Sequence, residues 1–180
     1  MRSTCPTPPP EFVSAIPDEF PWYAIRTRSN FERTVSTVLA GKGYQQYLPI
    51  YRVKKRWSDR IVETELPLFP GYVFCRFNSK KRVPILSTPG VLAVVGFGTE
   101  AKAIPDAEIE AVERVLASGF AAGPCPFIGE GQRIRIKQGP LESVEGILLR
   151  RKSEWRLVVS ITMLQRSVSI EIDASWITAA

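Results

Sequence analysis

PLFPGYVF, residues 67 to 74, is the stretch that decides the architecture. A proline–glycine break, Pro70–Gly71, stands directly before the apolar run Tyr72–Val73–Phe74–Cys75. Strand side chains alternate faces with a period of two, so Tyr72 and Phe74 share one face while Val73 and Cys75 take the other. Pro70 cannot donate a ladder hydrogen bond, and Gly71 admits close approach of another backbone or a partner. Phe69, Tyr72 and Phe74 are therefore expected to line one apolar surface at the mouth of a sheet. Two readings are open for these rings. They are packed core, the usual fate of strand aromatics, or a docking surface for a partner helix, which needs an apolar groove with a few anchors.

Upstream of that strand, WYAIRTR alternates, with Trp22 and Ala24 on one face and Tyr23, Ile25 and Thr27 on the other, which is a strand pattern. Ser29 and Glu32 have the spacing of a capping box, and Phe31, Val35, Val38 and Leu39 then fall on one face of a helix that Gly41 and Gly43 end. YQQYLPIYRV reads as a second strand interrupted by Pro49. KKRWSDRIVETEL turns near Ser58 and Asp59 into a polar return strand. Downstream, Lys80, Lys81 and Arg82 form a basic loop, and Pro84 and Pro89 limit any helix between them to a turn or two. VLAVVGFG is apolar enough for a buried strand. Asp106 to about Ala117 reads as a helix with Ile109, Val112 and Leu116 inward and Glu108, Glu110 and Glu113 outward. Short, hairpin-linked strands between helices predict an α+β fold: an antiparallel sheet with helices packed against it.

Gly119 to Phe127 carries several helix breakers and no periodicity, so it reads as a linker. Beyond it the pattern changes. Arg133, Arg135 and Lys137 alternate with Ile134 and Ile136, Gly139–Pro140 turns the chain, and GILLR, RLVVSITML and SVSIEI follow as short strands with Val168, Ile170 and Ile172 inward. Several short strands with glycine turns predict a small barrel. The expected organisation is a disordered, proline-rich arm at 1–20, an α+β domain at 21–118, a linker at 119–127 and a β-barrel at 128–180.

The composition narrows the function. Of 180 residues, 44% are apolar and 23% charged, ordinary for a globular chain long enough to bury a core. A net charge of +6 points mildly to a polyanionic partner. Histidine is absent, which removes the usual general base, the Ser-His and Cys-His nucleophile pairs and the commonest zinc ligand. Cys5, Cys75 and Cys125 are far apart with no CxxC pair, so neither a metal site nor a disulfide framework is indicated. No run is long enough to span a bilayer and no signal peptide is recognisable. These features predict a cytoplasmic, monomeric, non-enzymatic protein without cofactor or membrane partner.

The two halves together resemble the NusG-type transcription elongation factors. WYAIRTRSNFE, PLFPGYVF, STPGV and the acidic helix are similar to that family's N-terminal (NGN) domain, and GQRIRIKQGPLESVEG is similar to the KOW motif that follows it. The resemblance covers residues 22 to 178 in the right order. It implies a four-stranded antiparallel sheet with flanking helices, then a five-stranded SH3-like barrel. It also implies that the first domain sits on the clamp helices of RNA polymerase, bridges the DNA cleft and disfavours pausing or termination. By this resemblance the polymerase-binding residues are Phe69, Pro70, Tyr72 and Phe74, with Trp22 and Tyr23 nearby. The arginine-rich hairpin and the PLFP form look more like specialised antiterminators such as RfaH and UpxY. Some of those store the C-terminal domain as a helical hairpin. Here VVSIT and SVSIEI are β-branched at strict alternation, which predicts strands in the resting state.

Three basic groups are candidates for nucleic acid. Arg52, Lys54, Lys55, Arg56 and Arg60, interleaved with Tyr51 and Trp57, suit single strands: phosphates meet cations and bases stack on aromatics. A solvated hairpin is the plainer reading. Lys80, Lys81 and Arg82 lie where the resemblance places the polymerase gate loop or the non-template DNA strand. Arg26, Arg28 and Arg33 at the start of the first helix complete the set. Arg150, Arg151 and Lys152 cap a barrel hairpin, as solubilising charges or as contacts to RNA or to a partner such as Rho or a ribosomal protein. Gly139, Pro140 and Gly146 are expected to shape the KOW turn through special backbone angles. A ribosome-associated or free RNA-binding KOW protein, using Arg133 and Lys137, is the alternative.

Overall fold

A computed structural model describes residues 20–57, 60–98, 100–127, 131–151 and 154–179. The proline-rich arm up to residue 19, the turn expected at Ser58 and Asp59, and Lys152 lie outside these residues. So do the side chains of Lys55, Arg56, Trp57, Arg150 and Arg151.

The N-terminal part runs β1 (Trp22–Thr27), α1 (Glu32–Gly41), β2 (Gln46–Tyr47), β3 (Ile50–Trp57), β4 (Arg60–Pro67), β5 (Tyr72–Arg76), α2 (Val83–Leu86), β6 (Val91–Val94), β7 (Gly96–Phe97), β8 (Glu100–Ala101), β9 (Ala103–Ile104) and α3 (Asp106–Ala117). The main sheet has the order β2-β5-β1-β6, with β9 also pairing β1. Every pairing in it is antiparallel. Strands β3 and β4 form a separate two-stranded ribbon, and β7 and β8 another. The fold is α+β.

The period of two sorts the sheet's side chains as expected. Tyr23, Ile25, Val73, Cys75 and Phe77 pack with Val35 and Leu39 of α1 and Ile85 of α2. Trp22, Ala24 and Phe74 turn the other way and join Ile109, Val112 and Val115 of α3. Cys75 is fully enclosed, and burial pushes its thiol up to about 12, so it stays protonated and unreactive.

Several local expectations are corrected. No capping box forms: α1 starts at Glu32, its N-cap is Phe31, and no side chain caps it. Glu32 Oε1 instead accepts from the Gly71 amide at 2.7 Å, tying α1 to the PLFPGYVF turn. Gly71 sits at φ 84°, which a side chain would strain. Strand β6 is apolar yet not buried, because it is the sheet's outer strand and Leu92 is exposed. On α3, Ala111 and Val115 are buried as well as Ile109 and Val112, while Leu116 is only half-buried. That arc is too wide for one partner.

The second partner is the C-terminal part, all strand apart from short 3₁₀ turns among the described residues. Its strands are β10 (Ala122–Pro126), β11 (Gln132–Ile136), β12 (Glu145–Arg151), β13 (Glu154–Ile161), β14 (Arg166–Ile172) and β15 (Ile177–Ala179). They form one antiparallel sheet of order β10-β14-β13-β12-β11-β15. Ile134, Ile136, Val168, Ile170 and Ile172 face inward, as the alternation predicts. Strand β10 lies inside the stretch expected to be a linker. Its Gly-Pro-Cys-Pro composition reads as a breaker, and only the distant β14 makes it a strand.

Gly139 has φ 87° and Glu142 N donates to its carbonyl at 3.0 Å, closing a turn whose backbone a side chain would strain. Gly146 has a different reason. It lies in β12, where an added Cβ would come within 2.5 Å of Val158 O and 2.7 Å of Leu157 Cδ1. Gly146→Ala is expected to destabilise by about 1–3 kcal/mol, seen as a lower urea midpoint, whereas Gly119→Ala meets no neighbour and is set only by its positive φ.

One apolar cluster runs without interruption from Trp22, Phe69 and Phe74 through α3 to Ile134, Leu157, Val159 and Ile161. Around it, Thr162 N donates to Glu108 Oε2 at 3.1 Å and Arg114 Nη1 donates to the Glu142 carbonyl at 2.8 Å. Between α3 and the C-terminal sheet a cleft of about 350 Å³ is lined by Glu108, Ala111, Arg114, Val144, Glu145 and Val159, among others.

Candidate functional site

The PLFPGYVF turn is built from three restraints. Thr27 N donates to Gly71 O at 2.8 Å, Tyr72 N donates to Phe69 O at 3.1 Å, and Glu32 holds the Gly71 amide. The turn delivers Phe69 edge-on to Phe74, with ring centroids 5.6 Å apart and planes at 87°. Tyr47 stacks against Phe74, ring centroids 6.4 Å apart. Burial pushes the Tyr47 hydroxyl up, with the Glu113 carboxylate a second cause.

Sequence reasoning expected one apolar surface from Phe69, Tyr72 and Phe74, and the structure brings them together. They do not form an open groove. Phe69 is 2% exposed and Phe74 0%. Tyr72 is half-buried at the rim, with the Arg166 guanidinium 5.7 Å from its ring centroid. That distance is within cation–π range, and Arg166 belongs to the C-terminal sheet. Trp22 is buried beneath the Arg76 guanidinium at 4.9 Å, and Arg76 also pairs with Asp106 at 3.2 Å. Tyr23 is not brought to this face. It packs on the opposite side of the sheet against Phe77, centroids 4.9 Å apart. Pro70 is exposed beside the turn.

The basic residues are mostly at the surface. Arg26, Arg28, Arg33, Arg52, Lys54, Arg60, Lys80 and Lys81 are exposed, and Arg82 is half-buried. The ribbon is less one-sided in charge than its β3 strand implies. Antiparallel register sets Glu65 opposite Arg52 and Glu63 opposite Lys54. Glu65 bridges Arg33 at 3.1 Å and Arg52 at 3.5 Å, joining α1 to the ribbon. Exposed pairs of this kind hold weakly. Lys80 and Lys81 sit on a single 3₁₀ turn that Asn78 caps through the Lys80 amide at 2.9 Å.

The family model described as "NusG: Transcription termination factor nusG" matches residues 20–113, just over half of the 180 residues. The chain belongs to the NusG family. Curated NusG relatives extend the likeness over both parts. The "Transcription termination/antitermination protein NusG" of Borreliella burgdorferi is 26% identical over 174 residues, covering 84% of this chain and 94% of that protein. The protein of the same name from Lactococcus lactis is 26% identical over 165 residues, covering 84% and 89%. Among solved structures, "Domain interaction in Thermotoga maritima NusG" is similar in fold, with a TM-score of 0.52 at 22% identity over 89% of this chain and 97% of that one.

For this NusG-family chain, the residues at the site that sequence reasoning passed over are Glu32, Tyr47, Arg76 and Arg166. Glu32 and Arg76 carried a signal: each is a charge at a position whose strand or helix face is otherwise apolar. Arg166 carried none, because it meets Tyr72 only through the packing of two distant parts of the chain.

Proposed function

We propose that this chain is a transcription elongation and antitermination factor that seats its N-terminal domain on the clamp helices of RNA polymerase, bridges the DNA cleft and suppresses pausing or termination. Tyr72, at the rim of the Phe69–Phe74 surface, carries this reading: it is the member of the trio that keeps a partly open ring. Phe69 and Phe74 shape the surface from beneath, and Pro70 and Trp22 border it. Lys80, Lys81 and Arg82 face the gate loop, and the ribbon together with Arg26, Arg28 and Arg33 follows the non-template strand. The C-terminal sheet acts as an SH3-like KOW barrel that recruits a partner such as Rho or a ribosomal protein. The arginine-rich ribbon favours an operon-specific role of the RfaH or UpxY kind. Binding is the whole task, so no catalytic group or cofactor enters, and the setting is the cytoplasm with the factor as a monomer.

With Arg166 over Tyr72 and α3 held by Thr162 and Glu142, polymerase engages fully only when the C-terminal sheet moves aside. Tyr72→Ala is expected to weaken polymerase binding about tenfold or more, as loss of an aromatic hot-spot residue does, and to abolish pause shortening in a single-round elongation assay while the thermal midpoint changes little. Wild-type protein that neither binds polymerase nor alters pausing would refute the reading.

A further inference from the structure

We infer that Phe31 is a stacking platform for bases of single-stranded nucleic acid, with Arg26 and Arg28 engaging the phosphates beside it; this deepens, and rests on, the nucleic-acid reading above. Phe31 belongs to neither apolar cluster and is 39% exposed. It occupies the N-cap of α1, where phenylalanine is disfavoured and caps nothing. One flank of the ring lies directly on Gly90: a Cβ there would come within 2.6 Å of Phe31 Cδ1. Gly90 has φ 92°, and its carbonyl accepts from Arg28 N at 2.8 Å, so the backbone that supports the ring also fixes the root of Arg28. A ring with a backbone floor and a solvent face is pre-set for a flat partner.

The surroundings select which partner. Register against β6 slips between Arg26 and Thr27, since Arg26 pairs Ala93 and Thr27 pairs Val91. The skipped Leu92, two residues beyond Gly90, is 51% exposed. Among the described residues neither Arg26 nor Arg28 has an ion-pair partner. The adjacent acid, Glu32, is buried and committed to the Gly71 amide. An exposed ring with Arg28 rooted on the same backbone floor, and Arg26 two residues before it, matches unpaired bases on a phosphate backbone, whereas duplex DNA offers no free base face. An apolar protein segment would leave both guanidiniums without anions. The patch is open while the C-terminal sheet covers Tyr72, so it needs no rearrangement.

The test is fluorescence anisotropy of the full chain with a labelled oligothymidine and, separately, a duplex of equal length. Phe31→Ala is expected to weaken single-strand binding about tenfold, within the range for loss of one base–aromatic stack. Phe31→Trp is expected to retain affinity and to show quenching of the added indole on binding, which a purely structural role would not produce. Arg28→Ala is expected to reduce the salt slope by about one phosphate contact. Parent-like affinity of Phe31→Ala, an unquenched Phe31→Trp, equal affinity for the duplex, or no single-strand binding by the parent chain would each overturn the inference. If Phe31→Ala does not fold, the Phe31→Trp quench decides. Pause shortening is measured on the same variants: its retention by Phe31→Ala with single-strand binding lost leaves polymerase docking standing, and its absence from the parent refutes that docking irrespective of the stack.

Discussion

Phe74→Ala is expected to lower the unfolding free energy by about 3–5 kcal/mol, the usual result of emptying a large enclosed aromatic site. Phe74 is fully enclosed, lies opposite Ala24 of β1 and Tyr47 of β2, and meets Phe69 edge-on. Neither neighbouring strand can collapse into the space without breaking its ladder, so the cavity persists. Urea denaturation followed by tryptophan fluorescence reads the change, and a loss under about 1 kcal/mol would show that the ring is not enclosed in solution. Phe74→Leu keeps most of the volume and is expected to cost less than half as much. The practical consequence is that Phe74 substitutions report on folding, and Tyr72 is the residue with which to probe docking.

Ala111→Glu is expected to drive the C-terminal sheet off α3. Ala111 is 9% exposed and lines the cleft with Val144, Glu145 and Val159. A new carboxylate there loses water and sits beside Glu108, Glu110 and Glu145, while Arg114 on the same wall is engaged by the Glu142 carbonyl. Burial already pushes the nearby Glu113 carboxyl upward, with Glu110 adding to the shift, so α3 tolerates further negative charge poorly. A penalty of about 2–4 kcal/mol against the packed arrangement is reasonable for an unpaired, partly buried charge. It multiplies the population with an uncovered Tyr72 by roughly 30- to 1,000-fold. The side chain is solvated once the parts separate, so the penalty falls on packing and not on the fold of either part. Amide chemical shifts of β13 and α3 are expected to move together, and polymerase affinity to rise. Separation without any rise in affinity would place the docking surface elsewhere. Arg114→Ala removes only the hydrogen bond to Glu142 and is expected to act in the same direction by about 1 kcal/mol.

Much of the fold was legible where a local rule and the tertiary environment agree. The limits of α3 fall at Asp106 and Ala117 as expected, between Pro105 and Gly119. The two faces of β1 and β5 separate as strict alternation predicts. The failures occur where a residue answers to a distant segment. Ala111 and Val115 are buried because α3 packs on two sides, and helical periodicity registers only one. Pro124 and Pro126 read as breakers, yet antiparallel pairing tolerates proline on an outer strand such as β10. Leu92 reads as core because apolarity does not record which strand ends a sheet. At the candidate site, the identity of the aromatic trio was legible from PLFPGYVF alone. Its enclosure was not, since Phe74 meets Tyr47 and the α3 cluster, and Tyr72 meets Arg166, only through packing of segments far apart in the chain.

The join between the two halves sets how far they can part. Residues 118–121 separate the end of α3 from the start of β10. Fully stretched, that leash reaches about 17 Å, so the C-terminal half swings close to its original seat while β10 stays paired. If β10 peels from β14, residues 118–131 become free to extend before β11 begins. The reach then grows to about 50 Å. The pairing of one proline-containing edge strand thus fixes which of two leash lengths, about 17 Å or about 50 Å, joins the halves.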